Sequence, residues 1–318
     1  MRFRQTSDIE AQSALLEGWN QSYSQLSGGA FAGTLVEAVL PRAYLFREVT
    51  SHSLLQMGHL DPGMVAVGVP LRIDGPASFA GGRCGGSQLH LFSGRDGFEF
   101  HTPEGLDIAV AVIPRSLLMA GVDAQGCARL GQRLERAQLL SVAPGAFAGL
   151  RRLLTGVLPP DGPRQVPISG KRMAALTADL AQHLRSCLLS DAGDAPLTGE
   201  GERADTVARR MSIIADVRDA IEAADAEEAL NIELLCQRIG VSRRTLQYTF
   251  ERELGLRPIA YVRALRLNKA RRLICQGETV TEAATEAGFW HFGRFAQDYR
   301  GLFGERPSST LRSSTGPD

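Results

Sequence analysis

No apolar run in this 318-residue chain approaches the ~20 residues that a membrane-crossing helix requires; stretches such as IAVAVIP at 108–114 stop well short. The opening MRFRQTSDIEAQ carries basic residues with no apolar segment behind them, so it does not read as a secretory leader. Cysteine is scarce and scattered, at Cys84, Cys127, Cys187, Cys236 and Cys275, with no CxxC pair. An odd, dispersed set argues against a disulfide framework or a zinc site and fits idle thiols in a reducing cytoplasm. It also argues against a zinc-held cysteine that accepts methyl groups. Histidine is equally thin: His52, His59, His90 and His101 never form the His-x-His pair of a metal-holding β-barrel. Neither a Gly-x-Ser-x-Gly turn nor a Ser/His/Asp signature is present. The expectation is therefore no enzyme, no metal and no cofactor.

Net charge is also lacking, with 35 basic against 35 acidic residues, but the balance conceals an asymmetry. Residues 238–272 hold ten Lys/Arg (Arg238, Arg243, Arg244, Arg252, Arg257, Arg263, Arg266, Lys269, Arg271, Arg272) and two acids (Glu251, Glu253), a net of +8. A cationic block in a helical region is the electrostatic footprint of a polyanion binder.

The first half reads as short strands, at 34–40, 44–50, 64–69, 88–92, 98–101 and 106–113, separated by turn clusters such as GHLDPG and FAGGRCGG. Strands at this spacing without intervening helices predict an antiparallel sandwich or small barrel. After Pro114 the period changes, and 127–140 and 144–158 read as helices before PPDGPRQVP interrupts the chain. At 171–189, Met173, Leu176, Leu180, Leu184 and Cys187/Leu188 form one apolar stripe, which packs either on its own domain or as a dimer seam. SDAGDAPLTGEGE at 190–202 has linker composition, and the remainder reads as helix throughout.

In NIELLCQRIGVSRRTLQYTF (231–250), Asn231 can cap a helix that buries Leu235, Cys236 and Ile239. Gly240 suits a tight turn, and Ser242 can cap a second helix with Leu246 and Phe250 inward. Arg243, Arg244, Gln247 and Tyr248 are left facing out near its start, where a helix-turn-helix reads base edges in the major groove. The pattern recurs: Thr279 to Glu282 is a capping box, Gly288 supplies a turn, and 291–303 forms a second helix with Phe295, Tyr299 and Phe303 as its core stripe. His291, Gly293, Arg294 and Gln297 lie off that stripe, while Arg300 sits near it and is assigned to phosphate, as is Arg263. Between the units, a helix from Pro258 to about Cys275 has Ala260, Ala264, Leu267, Ala270 and Ile274 on its apolar side. At ~1.5 Å per residue it spans ~27 Å, close to the ~34 Å between successive major-groove faces.

IGVSRRTLQYTFERELGLRPIAYVRALRLNKARRLI and VTEAATEAGFWHFGRFAQDYRGLFGERPS resemble the DNA-binding domain of the AraC/XylS family, including Gly288-Phe289, the Phe295/Tyr299 pair and Phe303-Gly304-x-x-Pro307. The resemblance covers about a quarter of the chain, over 230–311. It implies that Arg244, Gln247, Tyr248, Gly293, Arg294 and Gln297 face the bases, with double-stranded DNA and RNA polymerase as partners. Trp290, Phe292 and Gly293 depart from the polar residues common in relatives, which makes the second unit's base contacts fewer or more apolar. The N-terminal half is similar to the family's cupin-like effector domains, most of all to the subgroup containing ethanolamine-utilisation regulators. The expected layout is α+β: an effector-sensing and dimerising domain at 1–189 (mainly β to 114, helical over 115–189), a linker at 190–202, and a double helix-turn-helix domain at 203–313.

The implied function is a cytoplasmic homodimeric regulator, an activator answering to a small effector. A regulator controlled by a partner protein and a metal-holding barrel enzyme fused to a DNA-binding domain are the alternatives. For an anionic effector the sequence offers Arg47, Arg72 or Arg95, and for a cation Glu37, Glu48 or Glu99, without choosing among them.

Overall fold

The structure is a computed structural model that describes residues 1–92, 97–136, 138–162, 170–190, 204–223 and 232–314. Arg95, Asn231 and all of 190–202 except Ser190 lie outside the described residues.

Two antiparallel sheets form the N-terminal half. One has seven strands in the order β1 (Arg2–Thr6), β3 (Gly33–Leu40), β4 (Ala43–Thr50), β11 (Leu106–Pro114), β6 (Met64–Arg72), β9 (Gln88–Leu91) and β12 (Gln138–Ser141). The other has five: β2 (Gln21–Gln25), β5 (Leu54–Gly58), β10 (Phe98–Thr102), β7 (Ser78–Phe79) and β8 (Gly82–Arg83). Alternation along β11 shows why the sheets stack. Ile108, Val110 and Val112 enter the core between the sheets with Phe46, Phe79 and Phe100, whereas Ala109, Ala111 and Ile113 pack under helices on the opposite face. Those helices are α2 (Arg115–Met119), α3 (Ala124–Arg133), α4 (Pro144–Val157) and α5 (Gly170–Leu189).

One expectation is corrected here, and one open choice is narrowed. The helix read over 127–140 stops at Arg133, and 138–141 becomes the edge strand β12 paired to β9 (Leu139 opposite His90). That strand was hidden because RLERAQLL contains no Gly or Pro to punctuate it, and the free edge of β9 overrides its local preference. The stripe on α5 is already covered within one chain: Leu180, Leu184, Cys187 and Leu188 are buried against the seven-stranded sheet, with Met173 and Leu176 partly buried beside them. That face is therefore not free to be a dimer seam.

Among the described residues seven helices follow: α6 (Ala204–Ala223), α7 (Ile232–Ile239), α8 (Arg243–Leu254), α9 (Pro258–Cys275), α10 (Val280–Glu286), α11 (Phe292–Phe303) and α12 (Pro307–Ser314). Their common core runs from Val207, Ile214 and Val217 of α6 through Leu246 and Phe250 to Phe295 and Tyr299, and extends to Leu55 on the outer face of the five-stranded sheet. The molecule is thus layered: helices, seven-stranded sheet, five-stranded sheet, then the C-terminal helices.

Polar contacts join the last two layers. Asn268 of α9 donates to the Gln25 carbonyl (2.8 Å) and accepts from the Gln25 amide (2.9 Å), as a neighbouring strand would. The Gln25 side chain donates to the Leu302 carbonyl (2.7 Å). Glu253 of α8 is buried between Arg83 of β8 (2.9 Å) and Arg210 of α6. Arg218 of α6 pairs with Glu99 of β10, and Arg271 of α9 with Asp8, which caps helix α1 (Ile9–Ala14). Gly304, at φ +73°, ends α11 so close to the N-terminal half that a Cβ there would lie 2.8 Å from the Ala30 amide nitrogen.

The cationic block needs a correction as well. Arg266 and Arg271 are buried and Arg272 is half-buried. Arg266 bonds the Gly288 carbonyl (3.4 Å), Arg271 pairs with Asp8 and Glu305, and Arg272 reaches Ser24 (3.3 Å). These three hold the structure together, so the positive charge available to a polyanion is smaller than the sequence count. On α9, Ala264, Leu267, Ala270 and Ile274 are buried as expected, but Ala260 is exposed.

Candidate nucleic-acid interface

The first unit is built by local rules. α7 buries Leu235 and Cys236, and the Cys236 carbonyl accepts from both the Gly240 and Val241 amides (3.0 Å each), which closes the turn with Gly240 at φ +73°. The Ser242 hydroxyl then accepts from the Thr245 amide (3.1 Å), satisfying a free donor at the start of α8. Leu246 and Phe250 are fully buried, and the Phe250 ring meets Tyr261 of α9 edge-on at 5.1 Å. On the other side of α8, Arg243, Arg244, Gln247 and Tyr248 are all exposed. Arg243 lies 3.4 Å from Glu233, Gln247 donates to Glu251 (3.0 Å), and the Tyr248 ring carries the Arg252 guanidinium at 5.9 Å. Arg244 reaches no partner among the described residues.

The second unit repeats the plan. Thr279 and Glu282 form the complete capping box of α10, whose hydrogen bonds hold the Glu282 carboxyl below its usual range. Gly288 turns the chain at φ +80°. The Phe289, Phe295, Tyr299 and Phe303 rings follow one another, each tilted on the next, at 4.6 to 5.6 Å from the turn along the buried side of α11. His291 is the N-cap residue but gives no side-chain cap, so α11 opens with unsatisfied amides. His291, Gly293, Arg294 and Gln297 are exposed around that opening.

Of the residues assigned to phosphate, Arg300 is exposed and Arg263 is half-buried. Asp298 holds two cations at once, Arg263 at 3.6 Å and Arg294 at 3.9 Å, tying α9 to α11. Asp298 was missed in the sequence, although its position one turn after Arg294 was the available signal. Beside this ion cluster is an open groove of about 270 Å³ lined by Ile259, Arg263, Trp290, His291, Arg294 and Asp298. Trp290 (54% exposed) and Phe292 (46%) make the start of α11 the most aromatic exposed surface of the C-terminal half among the described residues.

The N-terminal half touches the C-terminal ends of α8 and α11, through Glu253, Leu302 and Gly304, and the buried side of α9. The starts of both α8 and α11 remain exposed. An 18-residue α9 separates the two units by ~27 Å of helix. Two helices, each presenting Arg and Gln from its N-terminal turns, suit two readings of major-groove edges.

A helix-turn-helix domain family matches residues 235–313. The probable thc operon regulatory protein of Rhodococcus erythropolis is 36% identical over 94 residues, which cover 28% of this chain and 28% of that protein. The XylDLEGF operon transcriptional activator 2 of Pseudomonas putida is 36% identical over 91 residues, 27% of this chain and 58% of that one. A crystal structure of a probable AraC family transcriptional regulator from Rhodopseudomonas palustris CGA009 is 38% identical, covering 32% of this chain and 97% of that one, with a TM-score of 0.30. The chain therefore spans 28% and 58% of the first two relatives' lengths, less than two thirds of either. Among the described residues no helix is long and apolar enough to cross a membrane, and no cluster of His, Cys, Asp or Glu could hold a metal. Residues 235–313 thus form a helix-turn-helix domain similar to those of the operon regulators that the chain matches.

Proposed function

We propose that the chain activates transcription by docking α8 and α11 in successive major grooves, under the control of a small effector bound by its N-terminal half. The observation that carries this reading is the pair of helices whose exposed N-terminal turns carry Arg and Gln, joined by one rigid spacer. In it, residues 1–189 sense the effector and dimerise, 190–202 link, and 203–313 bind DNA. Arg243, Arg244, Gln247, Tyr248, His291, Gly293, Arg294 and Gln297 meet bases, while Arg263 and Arg300 hold phosphates. Two of the similar proteins are described as an operon regulatory protein and an operon transcriptional activator, which supports activation, and RNA polymerase is the partner this reading assigns. The chain acts as a homodimer, which needs a surface other than the covered face of α5. It performs no catalysis and needs no cofactor.

The test is binding of the full chain to a randomised duplex pool, followed by salt titration on the selected site. A selected site with two half-elements about one helical turn apart, and affinity falling steeply with salt as counterions are released, is expected. Equal binding to all duplexes, or none at low salt, would refute it.

A further inference from the structure

The sequence offered three carboxylates for a cationic effector, and the tertiary structure separates them. Glu37 pairs with Arg4 (2.5 Å) and also accepts from Tyr44, and Glu99 pairs with Arg218. Glu48, on β4, is buried between the two sheets (2% exposed) and pairs with no cation among the described residues. Its carboxylate accepts from Gln12 (2.9 Å) and from the Tyr23 hydroxyl (3.0 and 3.2 Å), with Gln56 beside it, all neutral groups. The other buried acids, Glu37 and Glu253, each have an arginine. A buried carboxylate without a counter-charge is costly, and burial raises the Glu48 pKa above the usual carboxylate range.

What surrounds Glu48 is aromatic. The cavity it lines is bounded by Trp19, Phe46, Phe92, Phe98 and Phe100, and no lysine or arginine among the described residues lines it. Trp19 sets its ring edge-on to Phe46, Phe92 and Phe98 at 5.2 to 5.8 Å. It projects from the turn joining α1 to β2, between two left-handed residues, Gly18 (φ +79°) and Asn20 (φ +37°). With Trp19 in place the free volume is about 10 Å³, room for one water-sized guest. Aromatic walls attract cations and a carboxylate anchors them, whereas the Glu48 charge repels an anion.

We propose that this cavity is the effector site and that it takes a small ammonium ion or the ammonium head of a small amine, with Glu48 as its counter-ion and Trp19 as the plug that gives way to anything larger. The proposal rests on the reading of the N-terminal half as effector-binding and names the ligand class for it. The structure also supplies the route to the DNA-binding helices. The two elements that bind Glu48 are α1, through Gln12, and β2, through Tyr23. The same two elements hold α9: Asp8 at the start of α1 pairs with Arg271, while Ser24 and Gln25 of β2 bond Arg272 and Asn268. A cation that draws Glu48 away from Gln12 and Tyr23 shifts both attachments of α9.

Trp19 and Trp290 are the chain's two tryptophans, so Trp290→Phe leaves Trp19 as a fluorescent reporter inside the cavity. The full-length Trp290→Phe chain is titrated with methylammonium and tetramethylammonium chloride, with sodium chloride at matched ionic strength and sodium acetate as controls. A saturable change in emission with at least one ammonium salt, and none with the controls, is expected. Adding Glu48→Gln should weaken it at least about tenfold, and Phe98→Leu, which removes one aromatic wall, several-fold. Asp8→Asn should leave the emission change intact but reduce the effect of the ammonium salt on duplex affinity. No saturable response, an equal response to sodium, or a response unchanged in both Glu48→Gln and Phe98→Leu would overturn the proposal. Duplex binding without the salt is scored in parallel. Its loss alone would defeat the proposed function and leave the ammonium site standing.

Discussion

Replacing Glu253 with glutamine tests how firmly the C-terminal helices are docked on the sheets. The carboxylate is buried, with its side chain 1% exposed, and it faces Arg210 (8%) and Arg83 (28%). Glutamine keeps the shape but leaves two guanidinium groups facing a neutral amide. Removing one partner of a buried pair costs about 3–5 kcal/mol. Arg83 retains part of its hydration, so its share is discounted, and most of the loss falls on Arg210. A destabilisation of about 3 kcal/mol follows, which at about 2–4 °C per kcal/mol lowers Tm by about 6–12 °C. Glu251→Gln, two residues away and exposed, is the control and should stay within about 0.5 kcal/mol of the parent. Thermal melts of the full chain followed by circular dichroism measure both. A Glu253→Gln melt within about 2 °C of the parent would mean that Glu253 is solvated in solution and that α8 does not rest on β8 as described.

On DNA, Arg244→Ala should cost about 1–3 kcal/mol on the selected site and relax one or two base positions, whereas Arg300→Ala should weaken all sequences alike and reduce the salt slope by about one. Equal, uniform losses across a panel of variant sites would refute those roles. Gly304→Ala should destabilise by about 1–3 kcal/mol, because its left-handed backbone and the adjacent Ala30 both oppose a Cβ; a neutral melt would contradict the contact. Burial lowers the pKa of His90 and of His101 to about 3, so both are neutral when folded. Their contribution to stability is complete above the ordinary histidine value near 6.5 and falls as pH drops toward 3, by about 1.4 kcal/mol per pH unit for each. His101→Asn should flatten roughly half of that slope in denaturant titrations between about pH 6 and 4. Glu48 acts in the opposite sense. Its raised pKa gives stability at acidic pH that is lost as pH rises above the usual carboxylate range, so Glu48→Gln should make the chain relatively more stable at neutral pH. A neutral-pH melt below the parent's would contradict this.

The helix-turn-helix units were legible in the sequence because their determinants are local. Ser242, Thr279 with Glu282, Gly240 and Gly288 act within four residues of themselves, and Leu246/Phe250 and Phe295/Tyr299/Phe303 declare the buried side of their helices by spacing alone. The six strands read from composition were found with small shifts at their ends, since their apolar residues alternate or run continuously. What escaped was decided at a distance. β2, QSYSQ, looks polar, yet Tyr23 seals the inter-sheet core and Ser24 and Gln25 face the C-terminal helices, a burial that only the docked layers create. β12 exists because β9 offered an edge. The α5 stripe had two equal readings until the seven-stranded sheet covered it. Arg266, Arg271 and Arg272 are indistinguishable in sequence from their exposed neighbours, and only the partners they meet turn them from a DNA footprint into internal ties. Glu37, Glu48 and Glu99 were likewise three equal carboxylates on strands. Charge pairing depends on which side chains from remote elements arrive within a few ångströms, and arginines arrived at Glu37 and Glu99, leaving Glu48 with aromatic rings and neutral donors.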